Sequence, residues 1–252
     1  MAEMAAEIRI GTSGWHYKHW AGPFYPKNCS PATMFEHYVE FFDTVEINNS
    51  FYRLPERRTF EFWREAAPKD FLFTVKASRF ITHNKKLKDP EPALERLFGA
   101  ADGLKKKLGP ILFQLPPKWK INLERLAEFL AVLPHGRRYT FEFRETSWID
   151  KKVFALLRRH NAACCLYELA GYRTPLVTTA DWVYVRLHGP GGKYEGNYSS
   201  AQLAAWAKRI AAWSRHLRAV YVYFDNDQAA YAAHNALKLK QLVQHQLERS
   251  AA

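Results

Sequence analysis

Charged and hydrogen-bonding side chains recur at the ends of short β-rich runs in this chain. Glu46 and Asn48 close one run, Lys76 and Gln114 mark two others, and Glu142 and Arg144 end a fourth. Arg186 with His188, and Asp225 with Asn226, end two more. Within the runs these residues alternate with apolar ones, as Glu142 and Arg144 do with Phe141 and Phe143, and Tyr184, Arg186 and His188 with Val183, Val185 and Leu187. Alternation on a strand sends the two sets to opposite faces, so the polar set is expected to gather on one side. Lys76, Arg144 and Arg186 would neutralise an anion, and the guanidinium fork suits a phosphoryl or carboxyl group. A carboxylate beside an arginine serves as a base and one pressed against aromatic walls as an acid, which makes Glu46, Glu142 and Asp225 candidates for proton transfer. His188 would shuttle protons near neutral pH. The rival reading of any one member is an ion pair that only closes the fold. For six ionised groups that reading weakens, because burying each costs several kcal/mol.

The loops after the runs add candidate contacts. Between residues 12 and 30 stand Trp15, His16, Tyr17, His19, Trp20, Phe24 and Tyr25. Trp15 and Tyr17 are read as covering a bound molecule, the alternative being a hydrophobic plug. Arg79, His83, Lys85, Lys86 and Lys88 form a basic loop, with His83 placed among the substrate contacts; the alternative is a solvated surface. Residues 188–194 are glycine-rich, where many barrels hold phosphate, and one of Asp225, Asn226 and Asp227 should cap the final helix. Glu46, Glu142, Asp225 and His188 are suitable metal ligands, yet HxH, HExxH and CxxC spacings are missing, so no metal and no cofactor is expected, a divalent ion being the minor alternative. No GxSxG elbow occurs, and Cys164 and Cys165 read as core filling.

The elements that must position these residues follow from periodicity. Eight β-rich runs are expected at residues 8–11, 44–48, 71–77, 110–115, 139–144, 162–167, 182–188 and 219–225. Helical spacing appears at 32–42, 58–66, 92–107, 123–133, 148–160, 200–216 and 228–246, but the interval 168–180 lacks it. Alternating strands and helices predict a parallel α/β fold, and the count predicts a single (β/α)8 TIM-type barrel, distorted with the helix after strand 6 short or missing. A seven-stranded barrel is the alternative. With no GxGxxG turn, a doubly wound sheet is disfavoured. One domain is expected over residues 8–247, between flexible ends at 1–7 and 248–252, with the polar set at its carboxyl rim.

The chain has 252 residues, 48% of them hydrophobic, which is enough to bury a sizeable core. Three cysteines are too few for a disulfide framework, and no apolar leader or membrane-length run occurs, so a cytoplasmic location and no membrane are expected. Thirty-seven basic against 25 acidic residues give +12, which attracts anions. The expected partner is an anionic small molecule handled by an enzyme. Nucleic acid, bound with or without phosphodiester cleavage, is the alternative; Lys105 to Lys107 and Arg158 with Arg159 lie on outer helices, where they read as solvated faces. A non-catalytic structural or regulatory module is the third reading.

The segments GTSGWHYKHWAGPFYP, TVEINNSFYRLP, FTVKASRFITH, ILFQLPPKW, FEFRETSW, YVRLHG and YFDNDQAAYAAHNALKL resemble those of the DUF72, or YecE-like, family in order and spacing from about Ile8 to Val243. The resemblance implies a TIM-type barrel and assigns no chemistry. A kinship with metal-dependent barrel endonucleases would require many histidines that this sequence lacks.

Overall fold

The computed structural model describes residues 6–251, with side chains through residue 249. Residues 1–5 of the expected flexible start, and residue 252 of the expected tail, lie outside the described residues. Glu7 already belongs to the first strand, and the last helix runs on to Ala251 through most of the segment expected as a tail.

All eight expected runs form strands, but they build two five-stranded sheets rather than the one closed eight-stranded sheet that their number predicts. The first sheet has the order β1 (Glu7–Thr12), β10 (Ala219–Phe224), β9 (Trp182–Leu187), β7 (Leu166–Leu169), β8 (Tyr172–Arg173). The second has the order β2 (Thr44–Ile47), β3 (Leu72–Lys76), β4 (Leu108–Leu115), β5 (Tyr139–Phe143), β6 (Ala163–Cys164). The discrepancy has a local origin in the sixth run. It breaks at Cys165: Cys164 pairs with Phe141 of β5, whereas Leu166 pairs with Val185 of β9. The chain then turns back as an antiparallel hairpin, Glu168 opposite Arg173, where the other crossovers are helical. Gly171 at φ +81° allows that turn, and no helix forms before β9.

By packing, the chain divides into two compact units, the cut falling between Val45 and Glu46 of β2. The first comprises the described residues through Val45, Leu166–Thr174 and Asp181 onward. Its ladders are parallel apart from the hairpin, and register puts Tyr223 beside Arg186 and Arg186 beside Tyr167 on one face. Val220, Val222, Val183 and Val185 take the other face and are all buried. Helix α6 (Ser200–Trp213) begins with a capping box, Ser199 accepting from Gln202 N while Gln202 accepts from Ser199 N. Its Leu203, Trp206, Ala207 and Ile210 recur at helical spacing and are buried. Helices α1 (Met34–Phe41) and α7 (Tyr231–Ala251) complete this unit.

The second unit holds Glu46–Cys165 and Pro175–Ala180. Register aligns Lys76 with Leu112, Gln114 with Glu142, and Phe113 with Phe141, so polar and aromatic sets separate onto opposite faces. The aromatic face packs on helices α2 (Arg57–Ala66), α3 (Glu91–Ala101), α4 (Leu123–Ala131) and α5 (Lys151–Arg159), as in the edge contact of Phe113 with Phe129 at 5.0 Å and the contact of Phe98 with Tyr139 at 6.2 Å. Asn122 and Asp150 accept from Arg125 N and Lys152 N and so start α4 and α5. No helix among the described residues is long and apolar enough to cross a membrane.

Candidate functional sites

In the first unit the polar strand ends meet in a buried network. Arg186 Nη2 donates to Asp225 Oδ2 at 2.9 Å and to Ser13 Oγ at 3.2 Å, and Arg186 is fully enclosed. His188 Nδ1 lies 2.9 Å from the same Asp225 oxygen, an ion-pair distance without hydrogen-bond alignment. Its Nε2 faces Arg186 Nη1 at 3.4 Å. Asp225 therefore stands against both the guanidinium and the imidazole. Such a pair can hold an anion and move a proton. The ring of Tyr194, in the glycine-rich loop, stands edge-on to His188 at 5.4 Å, and Tyr167 approaches at 6.1 Å.

Neighbouring residues hold this network in place. Tyr38 OH donates to Thr44 O and accepts from Thr12 N, fixing the end of β1 just before Ser13. Gly11 is required there, because a Cβ would lie 2.4 Å from Thr44 O. Asn226, expected to contact substrate, is buried: its Nδ2 donates to Gly196 O and to Asn235 Oδ1, while its Oδ1 accepts no hydrogen bond among the described residues. Helix capping also differs from expectation. The backbone carbonyls of Asn226 and Asp227 accept from Ala232 N and Ala230 N, and the Asp227 side chain makes no cap bond. Asp227 carries a raised pKa, through burial and then the charge of Asp225. In the 188–194 segment read as a phosphate cradle, Gly189 N donates to Tyr198 OH, so that amide is already engaged, and just beyond it Gly196 N donates to Gln228 Oε1.

The aromatic loop of residues 13–30 is mostly a plug. Trp20 and Tyr25 are buried, Trp20 Nε1 donates to Asp227 O, and Trp15 packs on Phe35 at 5.2 Å. Tyr17 is half-buried, its hydroxyl donating to Ser13 O. Trp15 and Tyr17 thus support the backbone around Ser13.

The second unit assembles a different cluster. Glu142, with no exposed side-chain surface, forms an ion pair with Arg144, which is 8% exposed. Cys165 Sγ donates to Glu142 Oε2 at 3.9 Å, placed there because Cys165 follows Cys164 onto the opposite face. Lys76 Nζ stands 4.5 Å from the centroid of Phe51, and His83 meets the same ring edge-on at 5.0 Å. Burial lowers the pKa of His83, and the charges of Lys76, Arg79 and Arg144 lower it further. Those three cations therefore act at one half-buried imidazole, whose Nδ1 is 2.9 Å from Thr82 Oγ1. The side-chain amide oxygens of Asn48 and Gln114, Oδ1 and Oε1, are buried and accept no hydrogen bond among the described residues. Each costs about 1–3 kcal/mol unless water or a bound molecule donates to it. Glu46 is fully buried on β2. Burial pushes the Cys164 thiol up to about 12, consistent with core filling. Among the described residues no group of three or more His, Cys, Asp and Glu is arranged to hold a metal ion.

A family model described as protein of unknown function DUF72 matches residues 9–252. The chain belongs to the DUF72 family. A Bacillus subtilis (strain 168) relative, UPF0759 protein YunF, is 25% identical, with 94% of each chain covered. The crystal structure of a DUF72 family protein from Thermotoga maritima MSB8 superposes with a TM-score of 0.85 at 28% identity, covering 94% of this chain and 99% of that one. One from Enterococcus faecalis V583 gives 0.81 at 17% identity, over 94% and 95% of the two chains, a likeness of fold.

For this DUF72 protein, alternation reads Lys76, Glu142, Arg144, Arg186, His188 and Asp225 as members of one polar set; the structure puts Arg186, His188 and Asp225 in the first unit and Lys76, Glu142 and Arg144 in the second. Alternation passed over Ser13, Phe51 and Cys165. Cys165 was recoverable, since adjacent cysteines on a strand must face opposite ways. Ser13 and Phe51 sit in loops, where no period reveals direction.

Proposed function

We propose that this DUF72 protein is an enzyme acting on an anionic small molecule, phosphorylated or carboxylated, by general acid and base chemistry at its strand ends. The observation that carries the reading is the convergence of Lys76, Arg79 and Arg144 on His83 beside the buried Glu142. Lys76 and Arg144 would hold the anion, with Arg144 already oriented by its carboxylate partner. Glu142 would take or return the proton, and the side-chain amide oxygens of Asn48 and Gln114 would accept from substrate hydroxyl or amino groups. In the other unit, His188 held by Asp225 supplies a second proton-transfer group on its own geometry. Nothing in this reading calls for a metal or cofactor.

The test is turnover by the purified protein of phosphomonoesters, sugar phosphates, hydroxycarboxylates and short nucleic acids, with and without divalent metal. Glu142→Gln should lower kcat by about 10²- to 10⁴-fold, as loss of a positioned proton-transfer group does. Lys76→Met should act mainly on KM. Turnover that survives both substitutions unchanged rejects the site. Nucleic acid as the preferred substrate, bound with a steep salt dependence, would favour the phosphodiesterase alternative.

A further inference from the structure

We propose a second ligand site in this protein, for a small amphipathic carboxylate of the medium-chain fatty-acid type. It is a pocket of about 430 Å³ whose walls include Leu54, Phe80, Ile81, Ala93 and Leu97, with Arg96 at its margin. All of these residues lie in the second unit. The site is independent of the activity proposed above, since none of these residues belongs to the Lys76 and Glu142 cluster.

The pocket arises from an irregularity in the chain. After β3 the backbone forms one turn of π-helix, Phe80–Asn84, a wider turn than the α-helix and one found often at functional sites. That turn brings Phe80 and Ile81 against Ala93 and Leu97, which lie one helical turn apart on α3. Ile81, Ala93 and Leu97 are buried, whereas Phe80 remains 40% exposed. A large aromatic ring left in water at the edge of an apolar hollow is surface that a ligand would cover.

Charge decides what kind of ligand. Lys85 Nζ and Arg96 Cζ each stand 5.9 Å from the centroid of Phe80. Neither makes an ion pair among the described residues, and both are exposed. Lys86 and Lys88 belong to the same loop, against the single acid Asp89, so positive charge predominates around Phe80 and favours an anion. The walls offer little to a polyhydroxylated molecule. The hydroxyl of Ser78, on the lining, already accepts from Phe80 N at 3.2 Å. An apolar body with one anionic head matches both features, and the volume is at the lower end of those that hold small organic ligands. The head would take a charge-assisted hydrogen bond from Arg96 while the chain displaces water from Phe80, Ile81 and Leu97.

The experiment is isothermal titration of the full chain with octanoate, with 1-octanol as the neutral equivalent and butyrate as the short one. Octanoate is expected to bind at one saturable site, about tenfold more tightly than octanol, a difference set by one charge-assisted contact. Butyrate should bind more weakly still. Arg96→Gln should weaken octanoate about tenfold, and Ala93→Phe, which fills the pocket, should abolish binding with an intact melting curve. Should Ala93→Phe not fold, the exposed Arg96→Gln and the octanol comparison decide the matter. Equal affinity for octanoate and octanol, indifference to Arg96→Gln, or no saturation up to about 5 mM overturns the proposal.

Discussion

Arg186 and Arg144 both follow the polar phase of a parallel strand, yet they live in different surroundings. Arg186 is wholly enclosed, and its guanidinium joins Asp225, Ser13 and the edge of His188 in one network. Arg144 keeps a little exposure, pairs with Glu142, and acts together with Lys76 and Arg79 on His83. In the first unit the cation is matched by an acid at hydrogen-bond distance. In the second, Lys76, Arg79 and Arg144 act together on one half-buried imidazole, and Arg144 is paired with Glu142. A buried pair that is balanced holds a fold in register, whereas an excess of one sign near solvent is suited to a counter-charged ligand. The same pattern of alternation therefore yields an enclosed network in one unit and a group of basic side chains around one half-buried imidazole in the other.

The largest effect should come from breaking the enclosed network. Arg186→Leu removes the guanidinium that donates to the buried Asp225, and loss of one partner of a buried pair costs about 3–5 kcal/mol. For a chain of this size that is a fall in Tm of roughly 10 °C or more. Arg144→Leu removes the guanidinium paired with Glu142, whose side chain has no exposed surface, and should cost a similar amount at neutral pH. Thermal denaturation of the two variants side by side checks the comparison. A much smaller loss for Arg144→Leu would mean that the ion pair of Glu142 contributes little to stability and is retained for another use.

A second test uses pH. The pKa of His83 is lowered by burial and by three positive neighbours, so in the window just below its ordinary value of 6.5 the unfolded chain binds more protons than the folded one. Stability should therefore rise as pH increases through that window and be complete above it. His83→Gln should flatten this part of the profile. A bound phosphate would oppose the three cations, raise the pKa of His83, and bind more tightly as pH falls. The carbon-bound proton resonances of the His83 imidazole, followed by NMR across pH with and without phosphate, report both effects. A titration midpoint that phosphate does not move would separate the cations from any anion-binding role.

The contrast between the units also marks what the sequence could show. Strand parity was legible, because Phe141 and Glu142, or Val185 and Arg186, need only the period of two to be sent to opposite faces. The absence of a helix between Glu168 and Tyr172 and onward to β9 was legible for the same reason. The break at Cys165 was not. Residues 162–167 read as one apolar run, and only pairing of Cys164 with Phe141 and of Leu166 with Val185 shows that the run serves two sheets. The π-helical turn at Phe80 was equally hidden, since it depends on how Ile81 seats beneath α3 rather than on any local propensity. Polar residue type alone did not show how Asn226 is held: an amide at a strand end looks like a ligand contact, and the bonds of its Nδ2 to Gly196 and Asn235 become apparent only in three dimensions.

The smallest effect belongs to Asp227, at the edge of the enclosed network. Its carboxyl is held above the ordinary value by burial and by the charge of Asp225, against a backbone hydrogen bond and the charge of His19, whose Nε2 stands at 3.5 Å. A carboxyl whose folded pKa is raised favours the protonated form in the native state, so this group destabilises the fold at neutral pH and less so in acid. Asp227→Asn keeps the size and leaves untouched the backbone carbonyl that serves Ala230, Trp20 and His19. It should raise Tm at pH 7 by a few degrees at most, and the gain should shrink as the pH approaches 4. A gain that persists in acid would mean that the Asp227 charge is not its source. In that case Asp225 is better shielded by Arg186 and His188 than a balanced but enclosed cluster requires, and the distinction between the two units would rest on exposure alone.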